Sequence, residues 1–252
     1  MELLRTHSMS VTFGGLRAVD NVEFTVEEGK IVGLIGPNGA GKTTFIDGIT
    51  GFVSTTGSIK FLDHEISRLP VHRRAHLGLA RTWQSLELFE DLNIAENLQV
   101  AAENQSALGF LADLVLPQRR RGNTDVEFAL DVLGIRELAH RMPTEISQGQ
   151  RKLVSAGRAL AARPRLLCMD EPAAGLDTSE SQALGRRMRD IVDAGTTIFL
   201  VDHDMGLVLN VCDYIYVLEF GEIIAQGTPD AVKRDRRVIE AYLGSSVEVG
   251  DS

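Results

Sequence analysis

Nine consecutive residues, Gly36-Pro37-Asn38-Gly39-Ala40-Gly41-Lys42-Thr43-Thr44, have the types and spacing needed to hold a polyphosphate. They fit GxxxxGK followed by Ser or Thr, and they come directly after the apolar run Ile31-Val32-Gly33-Leu34-Ile35. In that strand-loop-helix setting the glycines let successive backbone N–H groups converge on phosphate oxygens. Lys42 reaches the β- and γ-phosphates, and the Thr43 hydroxyl ligates Mg²⁺. The run Leu166-Leu167-Cys168-Met169-Asp170-Glu171 supplies matching acid: Asp170 would hold Mg²⁺ through its water shell and Glu171 would polarise an attacking water. A third element, Ile146-Ser147-Gln148-Gly149-Gln150, begins twenty positions before that acidic strand. Ser147 and Gly149 can offer a hydroxyl and backbone N–H groups at the start of an apolar helix, where the helix dipole favours a γ-phosphate. The chain therefore carries two phosphate-binding surfaces.

These groups need a scaffold, and the hydrophobic pattern outlines one. Residues 3–35 alternate apolar and polar positions, with breaks at Gly14-Gly15 and Glu27-Glu28-Gly29, which predicts a β meander leading into the phosphate-loop strand. A first helix is expected over Thr43 to Ile49, ended by Gly51, and a short strand over Gly57 to Leu62. From about Leu86 to Ala162 the alternation gives way to helical periodicity, marked by Ile94, Leu98, Ala101 and Ala102, then Val126, Leu130 and Leu133. That stretch reads as a helical subdomain inserted into an α/β core. Apolar runs at Leu166–Met169, Thr197–Val201 and Ile215–Leu218 suit a mostly parallel sheet covered on both faces. Gly221 to Pro229 looks like a final hairpin strand and turn before helices that stop near Tyr242-Leu243-Gly244. The expected division is an α/β core over 1–85 and 161–244, a helical subdomain over 86–160 and a polar tail over 245–252. With one phosphate loop and no internal repeat, this is a single unit.

Composition narrows the possibilities. At 252 residues and 44% hydrophobic content the chain can bury a substantial core, and a net charge of −9 argues against a general nucleic-acid surface. No apolar run approaches the ~20 residues of a bilayer span, and the first residues lack a signal-peptide core. A cytoplasmic location is expected, with any membrane role arriving through a partner. Cys168 and Cys212 are too few and too separated for a disulfide framework or metal site and read as packing thiols. Arg119-Arg120-Arg121, the one obvious basic run, reads as a solvated loop.

Taken together, GPNGAGKTT, ISQGQ and LLCMDE resemble the nucleotide-binding subunit of ATP-binding-cassette transporters, in order, at familiar spacing and over nearly the whole chain. The resemblance implies a P-loop NTPase of RecA-like type, with an N-terminal antiparallel β subdomain and the inserted helical subdomain. It implies ATP and Mg²⁺ as ligands, with Gly36, Asn38, Gly39, Gly41, Lys42, Thr43 and Thr44 around the phosphates. Phe13 stands where related cassettes stack an aromatic ring on adenine. Gln84, in Arg81-Thr82-Trp83-Gln84, resembles the glutamine that ligates Mg²⁺ and senses the γ-phosphate. His203 takes the γ-phosphate contact, and Asp177 follows a loop that links two sites, although it could equally cap the next helix. In this family two subunits stack head to tail, so Ser147, Gly149 and Gln150 of one chain would complete the site of the other, with Glu171, His203 and Lys42 as the catalytic groups. Residues Gln84 through Asp91, with Leu86, Leu88 and Phe89, would press on a permease helix. The pattern departs from the commonest one at Gln148, where many cassettes have glycine, at Ile146, and at Thr178-Ser179.

Within the family RTWQSLELF, VDHDM and IEAYLG look most similar to the ATPases of branched-chain amino acid importers. That implies integral membrane permease subunits, a second ATPase subunit, identical or related, and a substrate-binding protein. A lipid-export ATPase is a near relative. A soluble cassette that remodels ribosomes or DNA is the rival class, and the absence of a tandem cassette or a long coiled coil argues against it.

Overall fold

The computed structural model describes residues 1–82, 88–102 and 121–244. In chain order these form β1 (Glu2–Phe13), β2 (Leu16–Glu27), β3 (Ile31–Ile35), α1 (Lys42–Thr50), β4 (Thr56–Phe61), β5 (His64–Glu65), α2 (Val71–His76) and β6 (Leu79–Arg81). The helices α3 (Ile94–Ala102), α4 (Arg121–Leu133) and α5 (Gln148–Ala161) follow. The chain then alternates through β7 (Leu166–Asp170), α6 (Thr178–Asp193), β8 (Thr197–Val201), α7 (Met205–Val211) and β9 (Tyr214–Glu219). It ends in β10 (Glu222–Gly227), α8 (Pro229–Arg234) and α9 (Arg236–Gly244).

Two sheets result. One is antiparallel in the order β2-β1-β4-β5; the other has six strands in the order β10-β9-β3-β8-β7-β6 and is parallel except between β9 and β10. The meander therefore ends with β2. After Gly29, whose φ of +72° turns the chain, β3 leaves for the centre of the parallel sheet, between β8 and β9.

The period-two rule sorts the side chains of this sheet. Val32 and Leu34, Leu166 and Cys168, Phe199 and Val201, Tyr216 and Leu218 enter one core, shared with β1, β2 and α1. Ile31 and Ile35, Leu167 and Met169, Ile198 and Leu200, Ile215 and Val217 enter the other, shared with α3 to α7. In the first core Phe24 meets Phe45 and Phe199 at ring separations of 5.1 and 4.8 Å. Such pairs add about 0.5–1.5 kcal/mol beyond burial.

Helix α1 starts at Gly41 and stops at Gly51, whose φ of +91° lets its N–H close back on the Asp47 carbonyl. Helices α3, α4 and α5 pack through Leu98, Leu130, Leu133, Val154 and Leu160. Close approach relies on Gly157, where an added Cβ would meet the Leu133 Cδ1 at 3.0 Å. Asn97, fully buried in α3, bonds the backbone of Phe89, Leu92 and Asn93 and so fixes the entry to this helical layer. Cys168 and Cys212 are buried, and burial pushes both thiols up, Cys168 to about 12, as packing residues should behave. Among the described residues no helix is long and apolar enough to cross a membrane.

Candidate functional site

Strand β3 delivers Gly36 to the C-terminal edge of the parallel sheet, and the loop from Gly36 to Gly41 turns back into α1. The loop is held from behind: Gly221 N–H donates to the Ala40 carbonyl at 2.9 Å, and Asp20 N–H donates to the Gly221 carbonyl at 2.8 Å. A Cβ at Gly36 would strike the Leu218 carbonyl oxygen, and one at Gly41, where φ is +103°, would strike that of Ala18. Gly39, at φ +80°, faces open space, as do the exposed Asn38 and Thr43. Backbone closure behind the loop and open space in front of Gly39 make a cradle in which backbone N–H groups can meet phosphate oxygens. Lys42 is buried, its amine folded onto the Gly36 and Pro37 carbonyls at 2.7 and 3.0 Å. Burial pulls its pKa down, and the carboxylates of Glu171, Asp170 and Asp202 oppose that shift.

Beside it, β7 ends in Asp170, 2% exposed, whose Oδ2 accepts from Arg81 at 2.8 Å. Arg81 also pairs with Asp47 on α1 and reaches the Thr50 hydroxyl at 3.3 Å. Burial raises the Asp170 pKa, and the Arg81 guanidinium works against that rise. The other oxygen, Oδ1, is buried and has no hydrogen-bond partner among the described residues. A bare carboxylate oxygen at the strand end fits a hard divalent cation.

Glu171 has a φ of +47°, the left-handed region that costs a non-glycine residue about 1–2 kcal/mol. Its N–H donates to the Val201 carbonyl at 2.7 Å, turning its half-buried side chain toward His203. The His203 Nδ1 lies 3.8 Å from Glu171 Oε2 and 3.7 Å from Asp202 Oδ1. Asp202, fully buried, accepts the N–H groups of His203, Asp204 and Ala173 at 2.7, 2.9 and 3.1 Å. It ties the His203 segment to the turn that follows Glu171.

Ser147 caps α5 in a capping box: its Oγ accepts from Gln150 N–H at 3.2 Å, and Gln150 Oε1 accepts from Ser147 N–H at 2.9 Å. The Gln150 side chain is thus occupied at the helix start. Gln148 has no positive φ, so the helix begins normally without the usual glycine. Gly149 lies against Glu180, where an added Cβ would meet Oε1 at 2.9 Å. Asp177 caps α6, accepting Glu180 N–H at 2.8 Å. Helix α5 packs into one core and α1 into the other, so Ser147 and Lys42 belong to elements on opposite faces of the six-stranded sheet.

The structure thus brings Lys42, Asp170, Glu171 and His203 together, with Thr43 next to Lys42 in the chain, whereas Ser147, Gly149 and Gln150 open a helix that packs in the other core. Phe13 is 51% exposed at the end of the β1–β2 hairpin, available to a ligand and no part of the core. Gln84 and Leu86 lie outside the described residues, as do Arg119 and Arg120. Of the expected docking residues, Leu88 is buried, whereas Phe89 is exposed with the Arg158 guanidinium 5.0 Å from its ring. Pattern reading missed Arg81, Lys152 and Asp202. A charge ending the apolar strand Leu79-Ala80-Arg81 and another ending Phe199-Leu200-Val201-Asp202 were the available signals.

A glycine-cradled phosphate loop between parallel strands, with an acidic strand end alongside, defines an ATPase of the P-loop NTPase type. Comparison with known proteins narrows that class. Residues 19–174 match the family model described as ABC transporter, and residues 222–248 match that of a branched-chain amino acid ATP-binding cassette transporter. The chain is 39% identical to the high-affinity branched-chain amino acid transport ATP-binding protein BraF of Pseudomonas aeruginosa, covering 97% of this chain and 98% of that one. It is 37% identical to LivG of Escherichia coli, of the same description, with the same coverage. The ADP conformation of MJ1267, an ATP-binding cassette of an ABC transporter, superposes with a TM-score of 0.86 at 32% identity, over 97% of this chain and 99% of that one. The chain belongs to the ABC transporter family, as one of its ATP-binding cassettes.

Proposed function

We propose that this cassette works as one of a pair on the cytoplasmic face of a membrane permease, and that ATP hydrolysis in the pair drives import of branched-chain amino acids delivered by a substrate-binding protein. The solute assignment is supported by the matching C-terminal segment 222–248 and by full-length similarity to relatives so described. The observation that carries the catalytic assignment is Glu171, turned by its left-handed backbone toward His203 at the open edge of the phosphate loop.

ATP phosphates entering the cradle draw the Lys42 ammonium off the Gly36 and Pro37 carbonyls onto the β- and γ-oxygens, with backbone N–H groups from Gly39 to Thr44 around them. Phe13 stacks on the adenine ring. Asp170 Oδ1, Thr43 and Gln84 would hold Mg²⁺, which when bound neutralises charge on the β- and γ-phosphate oxygens. Glu171 accepts a proton from the water that attacks the γ-phosphorus. The bond to the β,γ-bridging oxygen breaks, and ADP leaves with the electron pair on its β-phosphate. His203 orients the γ-phosphoryl group. Since Ser147 stands across the sheet from Lys42, the Ser147 hydroxyl and the α5 N-terminus close the γ-phosphate side of the partner's site.

Glu171→Gln tests this reading. ATP binding should persist while turnover falls by at least about 100-fold, the usual weight of a general base, and an ATP-bound pair should accumulate in size-exclusion chromatography. Normal turnover would overturn the assignment. For the solute, vesicles holding the cassette with its permease should take up leucine in an ATP-dependent way; failure with leucine, isoleucine and valine alike would overturn it.

A further inference from the structure

The turn after Glu171 is fastened from two directions. On the sheet side, Glu171 N–H bonds Val201 at 2.7 Å, and Ala173 N–H bonds the buried Asp202 carboxylate at 3.1 Å. From the other side comes Lys152, on α5, whose Nζ donates to the Pro172 carbonyl at 2.8 Å. This side chain is half-buried, and the carboxylates of Asp202 and Glu171 hold its charge against burial. A strained backbone persists only where its surroundings over-determine it. Here the residue in the strained conformation is the proposed base, and one of its fasteners is a charge-assisted bond from the helix that begins at Ser147.

We propose that Lys152 is a positioning residue for Glu171, one that makes the geometry of the base depend on where α5 sits. Ser147 lies at the N-terminus of that helix and Lys152 five residues further along. A helix drawn onto the partner's nucleotide through Ser147 carries Lys152 with it and sets the Pro172 carbonyl in its own chain. Each site thereby reports its occupancy to the base of the other, through one rigid helix and one ammonium. The inference rests on the reading above, in which Ser147 serves the opposite site and Glu171 is the base.

The test uses the full chain, assayed for steady-state ATP turnover, for affinity toward a fluorescent ATP analogue and for thermal stability. Lys152→Met should lower kcat at least about tenfold, the weight of one hydrogen bond to a charged group. Its ATP affinity and melting temperature should stay at parental values, and its Hill coefficient for ATP should fall toward one. Lys152→Arg, which keeps charge and donors, should restore most of kcat. Wild-type kcat and cooperativity in Lys152→Met would overturn the proposal, as would a fall in kcat matched by an equal loss of ATP affinity. If Lys152→Met melts early, Lys152→Gln replaces it under the same criteria. Failure of the underlying reading shows separately: Glu171→Gln would then hydrolyse ATP at the parental rate whatever Lys152 does.

Discussion

Replacing Arg81 with methionine would isolate the charge arrangement beneath the phosphate loop. Its guanidinium is 7% exposed and lies between Asp170, 2% exposed, and the more accessible Asp47. Removing one member of a buried ion pair costs about 3–5 kcal/mol, because the other charge is left without compensation. The Asp47 contact, whose carboxylate is 27% exposed, adds less, about 1 kcal/mol. In a chain of this length each kcal/mol moves the melting temperature by about 2–4 °C, so Arg81→Met should melt roughly 6–20 °C below the parent. The deficit should depend on pH. Burial already raises the Asp170 pKa despite Arg81, and without the guanidinium it rises further. Between the unfolded carboxylate value and that raised value the folded state binds more protons than the unfolded one, so stability falls as pH increases through the window. The deficit should therefore be largest near neutral pH and shrink on acidification. Arg81→Met combined with Asp170→Asn, which removes both charges of the pair, should recover much of the loss. Scanning fluorimetry of the nucleotide-free chain from about pH 5 to about pH 8 reads all three outcomes. A single variant melting within about 2 °C of the parent at neutral pH, or a deficit that grows on acidification, would refute the reasoning.

Two further outcomes follow from the site. Ser147→Arg should leave ATP affinity of the isolated chain unchanged while cutting turnover by at least about tenfold through loss of the closed pair; loss of affinity in the monomer would show that the site is not completed by a partner. Gly41→Ala, at φ +103° and against the Ala18 carbonyl, should lose both stability and ATP binding, whereas Gly39→Ala, at φ +80° in open space, should lose binding with a stability cost of only about 1–2 kcal/mol. Equal melting temperatures for the two variants would contradict the cradle geometry.

What sequence reading could reach was set by range. The unbroken apolar runs Leu166–Met169, Thr197–Val201 and Ile215–Leu218 foretold a sheet covered on both faces, and the glycines fixed where α1 starts and stops. The chemistry of Lys42, Asp170 and Glu171 is local in sequence and could be named from it. By contrast the Arg81 bond to Asp170 spans 89 positions, the Asp202 bond to Ala173 spans 29 and the Lys152 bond to Pro172 spans 20. No periodicity encodes such pairings, because they arise only when strands and helices are laid side by side. Gln150 shows a different limit. Ser-x-x-Gln is the signature of a capping box as well as part of a nucleotide motif, and the folded chain uses its side chain for the cap. A strand phenylalanine such as Phe13 can pack a core or meet a ligand, and only its exposure in the fold separates the two.

The partition of side chains by the parallel sheet bears on how such chains diverge. Each strand residue serves one core only, so a volume change at Leu167 or Leu200 is absorbed among the helices of its own side and leaves Phe24, Phe45 and Phe199 undisturbed. Mutational effects on sites that share no partners add with little coupling. The packing residues of the helical half, which a permease would select, can therefore drift to suit a new transport pathway without repacking the phosphate-loop half, provided Ser147 and Lys152 on α5 keep their places.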